Sequence, residues 1–215
     1  MYFLFNCFVK ITGWIPYIIL LRPKVYFENN KVQSRRIKGK AIVISNHTDV
    51  LDFAVMLFTF PGRTLRCVVA ELMYKKNIVM TLLLRLFGTI KVDRTSNDFA
   101  FLSSCEKVLA NGGIVEIYPE SRLPAEGEPT PLDFKPSAVY LALQTNTPII
   151  PVCNNGRFFH KERMRVYVGT PIDTRELYDE SLSEKENISN ITVYVREKII
   201  EFKQKLEQIE KEEEK

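Results

Sequence analysis

With 215 residues, 46% of them hydrophobic and 26% charged, the chain has the length of one ordinary domain and the composition of a globular protein. That balance excludes a disordered or collagen-like chain, and a formal net charge of +4 carries no nucleic-acid signal. Cys7, Cys67, Cys105 and Cys153 form no CxxC pair and lie near no histidine cluster, so reduced cytosolic thiols and no metal site are expected.

Residues 2–21 are overwhelmingly apolar. No positive residue precedes the run and no small-residue cleavage site follows it, which is unlike a signal peptide. The less apolar positions Asn6, Lys10, Gly13 and Tyr17 fall at helical spacing and make one narrow stripe. Such a helix can lie in the headgroup plane with its apolar face in the acyl region, and Tyr2, Trp14 and Tyr17 suit an interface. Two other readings stay open. One is a membrane span, for which the length nearly suffices but Lys10 and the Gly13-Trp14-Ile15-Pro16 interruption count against it. The other is a helix packed on the domain's own core. Arg22, Lys24, Lys31, Arg35, Arg36, Lys38 and Lys40 follow, opposed only by Glu28. On either membrane reading they would face anionic lipid on the cytoplasmic side.

Ala41-Ile42-Val43-Ile44 reads as a buried strand and residues 53–58 as the first turns of a buried helix. Between them stands Asn46-His47-Thr48-Asp49-Val50-Leu51-Asp52. A histidine in the turn after a strand, with a carboxylate five residues on, can form a base held by its partner. That requires His47 in the turn and Asp52 in the first helical turn, because residues five apart share no face of a regular helix. The plainer alternative is a loop histidine beside a helix capped by Asn46 and Asp49.

The chain then alternates: strand 65–70, helix 78–87, strand 89–92, helix 98–110 with Asn97 as N-cap, Gly112-Gly113, strand 114–118. A Pro/Gly/Glu-rich loop fills 119–136, followed by helix 137–144, strand 149–153 and strand 163–168. A long helix from about 183 closes the chain, with a docking face at Ile188, Ile191, Val195, Ile199 and Phe202 and a Glu/Lys-rich, solvated end. The fold class is therefore α/β: a single domain with a mixed, mostly parallel sheet flanked by helices. Asn187 and Asn190 match the glycosylation pattern, here taken as chance.

Two further segments put charges at strand ends. In Gly88-Thr89-Ile90-Lys91-Val92-Asp93-Arg94 a glycine opens a strand and an arginine closes it; in Tyr118-Pro119-Glu120-Ser121-Arg122 a strand leaves the sheet. Arginine's planar fork suits phosphate, so two such arginines can converge on one anionic group; each is equally readable as a surface ion pair. His160 lacks the strand-turn setting and is read as structural or surface.

In this order the HxxxxD, GxIxxxR and Pro-Glu-Arg segments, followed by Phe134-Lys135-Pro136-Ser137-Ala138 and Ile150-Pro151-Val152, resemble the glycerolipid acyltransferases, and among them the 1-acylglycerol-3-phosphate acyltransferases. The resemblance runs over about residues 9–172. It implies transfer of a fatty acyl group from an acyl-CoA or acyl carrier protein thioester to the sn-2 hydroxyl of 1-acylglycerol-3-phosphate, a lysophospholipid acceptor. It implies His47 and Asp52 as catalytic pair, and Asn46, Gly88, Arg94, Glu120 and Arg122 as substrate-binding residues, the two arginines on the acceptor phosphate. No metal or other cofactor is implied beyond the thioester co-substrate, and no nucleic acid. The expected place is the cytoplasmic face of the cell membrane, with 1–24 as interfacial segment, 25–182 as acyltransferase domain and 183–215 as C-terminal helix. The third block departs from the family's usual Pro-Glu-Gly-Thr-Arg: Pro119-Glu120-Ser121-Arg122 is one residue shorter and lacks the glycine. This keeps other acceptors open, glycerol-3-phosphate or another lysophospholipid, as does a non-catalytic lipid-binding module.

Overall fold

The structure, a computed structural model, describes residues 2–93 and 100–213. Among them seven strands form one sheet: β1 (Lys24–Phe27), β2 (Ala41–Ser45), β3 (Leu65–Ala70), β4 (Ile90–Val92), β5 (Ile114–Ile117), β6 (Ile149–Asn154) and β7 (Arg165–Val168). Their order is β1-β7-β6-β2-β5-β3-β4. All pairings are parallel except β6 with β7, where Val152 lies opposite Val168. The helices are α1 (Tyr2–Leu21), α2 (Asp52–Thr59), α3 (Glu71–Lys75), α4 (Ile78–Phe87), α5 (Ala100–Ala110), α6 (Ser137–Thr145) and α7 (Glu184–Glu213). The mostly parallel α/β class stands as read from the alternating pattern.

β2 explains why its sequence is a continuous apolar run. Val43 packs with Val55, Met56 and Phe58 on one side of the sheet, while Ile42 and Ile44 pack with Leu109, Leu141 and Ala142 on the other. A strand covered on both faces has no solvent side to mark with polar residues. β5 shares that burial but carries Glu116 at 1% exposure in its interior.

Two elements escape the sequence reading. β1 lies inside the basic stretch, where the alternation of Lys24-Val25-Tyr26-Phe27 is short, and it pairs with β7 far along the chain. α3 is a single short turn of Glu71–Lys75. Strand 163–168 begins at Arg165, and the residues proposed to start and cap the 98–110 helix lie outside the described ones.

α1 turns its polar stripe toward the protein. Asn6 donates to the Phe87 carbonyl at 3.3 Å, Lys10 Nζ to the carbonyls of Pro61 at 3.1 Å and Arg63 at 2.5 Å, and Tyr17 stacks on Phe58 at 4.5 Å. A Cβ on Gly13 would meet the Phe58 ring at 2.8 Å, so this position lets α1 approach α2 closely. The apolar residues consequently point outward. Leu4, Phe8, Ile11, Ile15 and Ile19 are all exposed, and Ile78, Val79 and Leu82 of α4 are exposed as well. The following basic stretch does not act as one face: Arg35 is tied to the carbonyls of Phe58 and Thr59, and Lys40 to that of Thr145.

Candidate active site

β2, β3, β4, β5 and β6 run the same way, so their C-terminal ends share one edge of the sheet. β2 is central there, flanked by β5 and β6, and the segment His47–Asp52 leaves from its end. Crevices outside such strand ends are the usual ligand sites of open α/β sheets.

The expected His47–Asp52 pair is formed. His47 Nδ1 lies 2.8 Å from Asp52 Oδ2. Asp52 is fully buried at the start of α2 and also accepts from Thr48 N at 2.6 Å, Asp49 N at 3.0 Å, Thr48 Oγ1 at 2.8 Å and Asn154 Nδ2 at 3.1 Å. A carboxylate so held cannot swing away, and its bond to Nδ1 leaves Nε2 as the ring's outward nitrogen. Among the described residues Nε2 takes no hydrogen bond, and the His47 side chain is one-fifth exposed. The caps fall differently from the plainer alternative. Leu51 is the N-cap residue of α2 and gives no side-chain bond, while Asp49 Oδ1 closes a local turn onto Leu51 N at 2.8 Å.

Asn46 is buried and clamps strand ends instead of facing the crevice. Its Nδ2 donates to the Asn154 carbonyl and its Oδ1 accepts from Asn154 N, each at 2.9 Å. Asn154 is thus shared between Asn46 and Asp52, and its own Oδ1 lies 3.0 Å from Thr48 Oγ1, whose one proton is shared between it and Asp52. Sequence reasoning missed it, although a polar residue closing the apolar run of β6 was a visible cue.

Glu120 is likewise buried, with both oxygens engaged: Oε1 accepts from His47 N and Oε2 from Leu132 N, both at 2.7 Å. Burial pushes its carboxyl above the usual carboxylate range, against the pull of these two backbone donors. It fixes the backbone under His47. Ser121 has φ +64°, so the serine adopts the left-handed backbone that a glycine at this point of the block would take without strain. Arg122 is exposed, its guanidinium held by both carboxylate oxygens of Glu128, Nη1 at 2.7 Å and Nη2 at 2.5 Å. That pair pulls the Glu128 carboxyl down to about 2. Beside it opens a groove of about 1330 Å³ between α5, α6 and α7, reaching from Glu120 and Arg122 past Phe101, Phe134, Tyr140 and Ile188.

Gly88 does not belong to this site. It ends α4 with φ +71° and precedes β4, at the N-terminal edge of a sheet whose C-terminal edge carries His47. A Cβ there would sit 2.9 Å from the Tyr2 ring, so glycine serves a helix cap and the docking of α1. Arg94 lies outside the described residues; Asp93, just before it, lines the groove. His160 is exposed on a turn beside Glu162, as expected. The four cysteines are free, and burial pushes the thiols of Cys67, Cys105 and Cys153 up.

Residues 22–155 match the Acyltransferase family. The 1-acyl-sn-glycerol-3-phosphate acyltransferase alpha of Bos taurus is 28% identical over 168 residues, covering 71% of this chain and 57% of that protein. The 1-acyl-sn-glycerol-3-phosphate acyltransferase of Borreliella burgdorferi is 27% identical over 174 residues, covering 76% and 66%. The chain thus spans less than two thirds of either relative. The crystal structure of the 1-acyl-sn-glycerophosphate (LPA) acyltransferase PlsC from Thermotoga maritima superposes with a TM-score of 0.66 at 19% identity, over 95% of this chain and 79% of that one, which shows the shared fold. The matched stretch takes in β2, the His47–Asp52 turn, β5, the Glu120–Arg122 loop and Asn154. The chain belongs to the acyltransferase family.

Proposed function

We propose that the protein is an O-acyltransferase that moves a fatty acyl group from an acyl-CoA or acyl carrier protein thioester to the sn-2 hydroxyl of 1-acylglycerol-3-phosphate, forming phosphatidic acid at a membrane surface. The observation that carries this is the His47–Asp52 pair, immobilised by four further hydrogen bonds to Asp52, with Nε2 free at the sheet edge. Nε2 takes the proton of the acceptor hydroxyl as that oxygen attacks the thioester carbonyl. Asp52 stabilises the imidazolium, the tetrahedral adduct collapses with cleavage of the C–S bond, and the proton passes to the departing thiolate. The thioester is the only co-substrate this chemistry needs.

Arg122, on the loop that carries Glu120, binds the acceptor phosphate, displacing Glu128; Arg94 is its intended companion. The largely apolar groove next to Arg122 offers an acyl chain a place to lie. The outward face of α1, continued by α4, supports membrane attachment along the surface. Its polar stripe is already used up on the protein, and each large apolar side chain placed in lipid gains roughly 1.5–3 kcal/mol. The proposed side is the cytoplasmic one, where thioester donors are available.

The reading is tested by incubating the protein with liposomes, acyl-CoA or acyl carrier protein thioester, and a panel of 1-acylglycerol-3-phosphate, glycerol-3-phosphate and lysophospholipids with larger headgroups, followed by mass identification of the products. Phosphatidic acid as the dominant product supports it. Acylation only of another acceptor shifts the substrate, and membrane binding without thioester consumption overturns the enzyme reading.

A further inference from the structure

The Asp52 bond fixes one nitrogen of His47 but leaves the ring free to tilt about that bond. What sets the tilt is Tyr118, whose ring stacks under the imidazole with centroids 4.6 Å apart and planes 29° from parallel. Tyr118 follows β5 directly, two residues after Glu116, and its hydroxyl donates to Glu116 Oε1. The tyrosine is therefore held at its far end from within the core, by a side chain that is 1% exposed. An aromatic body with a tethered polar tip makes a rigid support.

Resting on the reading of His47 as base, we propose that Tyr118 is a positioning residue: its ring is the floor that orients the imidazole and carries part of the imidazolium charge when the acceptor proton arrives. An aromatic face is negative at its centre, so it attracts the protonated ring more than the neutral one. The contact is thus stronger after proton transfer than before, which is the condition for lowering a barrier. Glu116 fits this role as a neutral anchor, because burial keeps its carboxyl protonated up to about pH 8. Among the described residues the other ionisable groups around His47 and Tyr118 are Asp52 from α2, Asp49 in the turn, Glu120 from the loop after β5, and Cys67 of β3, the register partner of Glu116.

The test compares Tyr118→Leu, Tyr118→Phe and His47→Ala with the parent protein, measuring kcat and acceptor KM from pH 5.5 to 9. The His47 ring-proton shift is followed by NMR and assigned with His160→Gln, since the chain has two histidines. Tyr118→Leu lowers kcat about 3- to 30-fold, the range of a cation–π contact, and leaves KM within twofold. It removes the upfield ring-current shift from His47. Tyr118→Phe restores most of kcat and the shift. If His47→Ala is inactive while Tyr118→Leu keeps kcat, this proposal falls alone. It falls too if phenylalanine is as damaging as leucine. Activity in His47→Ala overturns the base reading and this inference with it. Should the leucine variant not fold, absence of the upfield shift on His47 in the parent protein overturns the proposal.

Discussion

Replacing Glu116 with glutamine isolates the effect of a carboxyl set in the interior of a strand. Burial on both faces of the sheet pushes this group from an ordinary 4.5 up to about 8, with the nearby Asp52 adding to the rise and the Tyr118 hydroxyl bond opposing it. The folded chain thus keeps its proton through a range where the unfolded chain has lost it. Unfolding between pH 4.5 and 8 releases that proton, so the contribution of this one group is most favourable below 4.5 and falls as pH rises to 8. At about 1.4 kcal/mol per pH unit the whole window is worth on the order of 5 kcal/mol. Glutamine has the same shape, carries no charge and still accepts from Tyr118. The expected result is a Glu116→Gln protein that matches the parent within about 1 kcal/mol near pH 4.5 and exceeds it by a few kcal/mol at pH 8. Urea unfolding at pH 5, 6.5 and 8, followed by tryptophan fluorescence, measures both. Glu120, also pushed up by burial, gives both proteins a residual slope of the same sign. Equal slopes in the two proteins would refute the argument.

Other outcomes follow from the site and its surroundings. Asp52→Asn replaces the acceptor of His47 Nδ1 and should lower kcat about 100- to 10,000-fold with a smaller change in KM, read from steady-state kinetics. Glu128→Gln releases Arg122 and should lower the KM of a phosphate-bearing acceptor several-fold; an unchanged KM removes Arg122 from the acceptor site. Ile11→Glu combined with Ile15→Glu, both on the outward face of α1, should abolish flotation with liposomes while leaving the unfolding midpoint within a few degrees, because neither side chain packs on the domain.

The His47–Asp52 turn was legible because it is local: strand, turn and helix all lie within residues 41–59, and the apolar runs on either side fix where the turn falls. The sheet edge was legible for the same reason, since each strand end is marked where its run stops. Asn154 was not, because its link to Asn46 and Asp52 depends on β6 lying beside β2, a pairing across about a hundred residues that no local pattern encodes. Gly88 shows the converse. Its place in a motif suggested chemistry, yet its positive φ and its contact with Tyr2 make it a helix terminus at the far edge. The stripe of α1 was seen correctly as a stripe, but periodicity alone cannot say which side faces the protein. The close approach at Gly13 and the carbonyls awaiting Lys10 decide that, and both come from α2 and the residues after it.

Whether His47 is the base of an acyl transfer is decided by purified His47→Ala in the liposome assay with a thioester donor and 1-acylglycerol-3-phosphate, scored by the mass of phosphatidic acid formed. Product formation should fall at least about 100-fold, on the order expected for removing a general base, with unfolding midpoint and liposome binding unchanged. A folded, membrane-bound His47→Ala protein that forms phosphatidic acid at near the parent rate would remove His47 from that role.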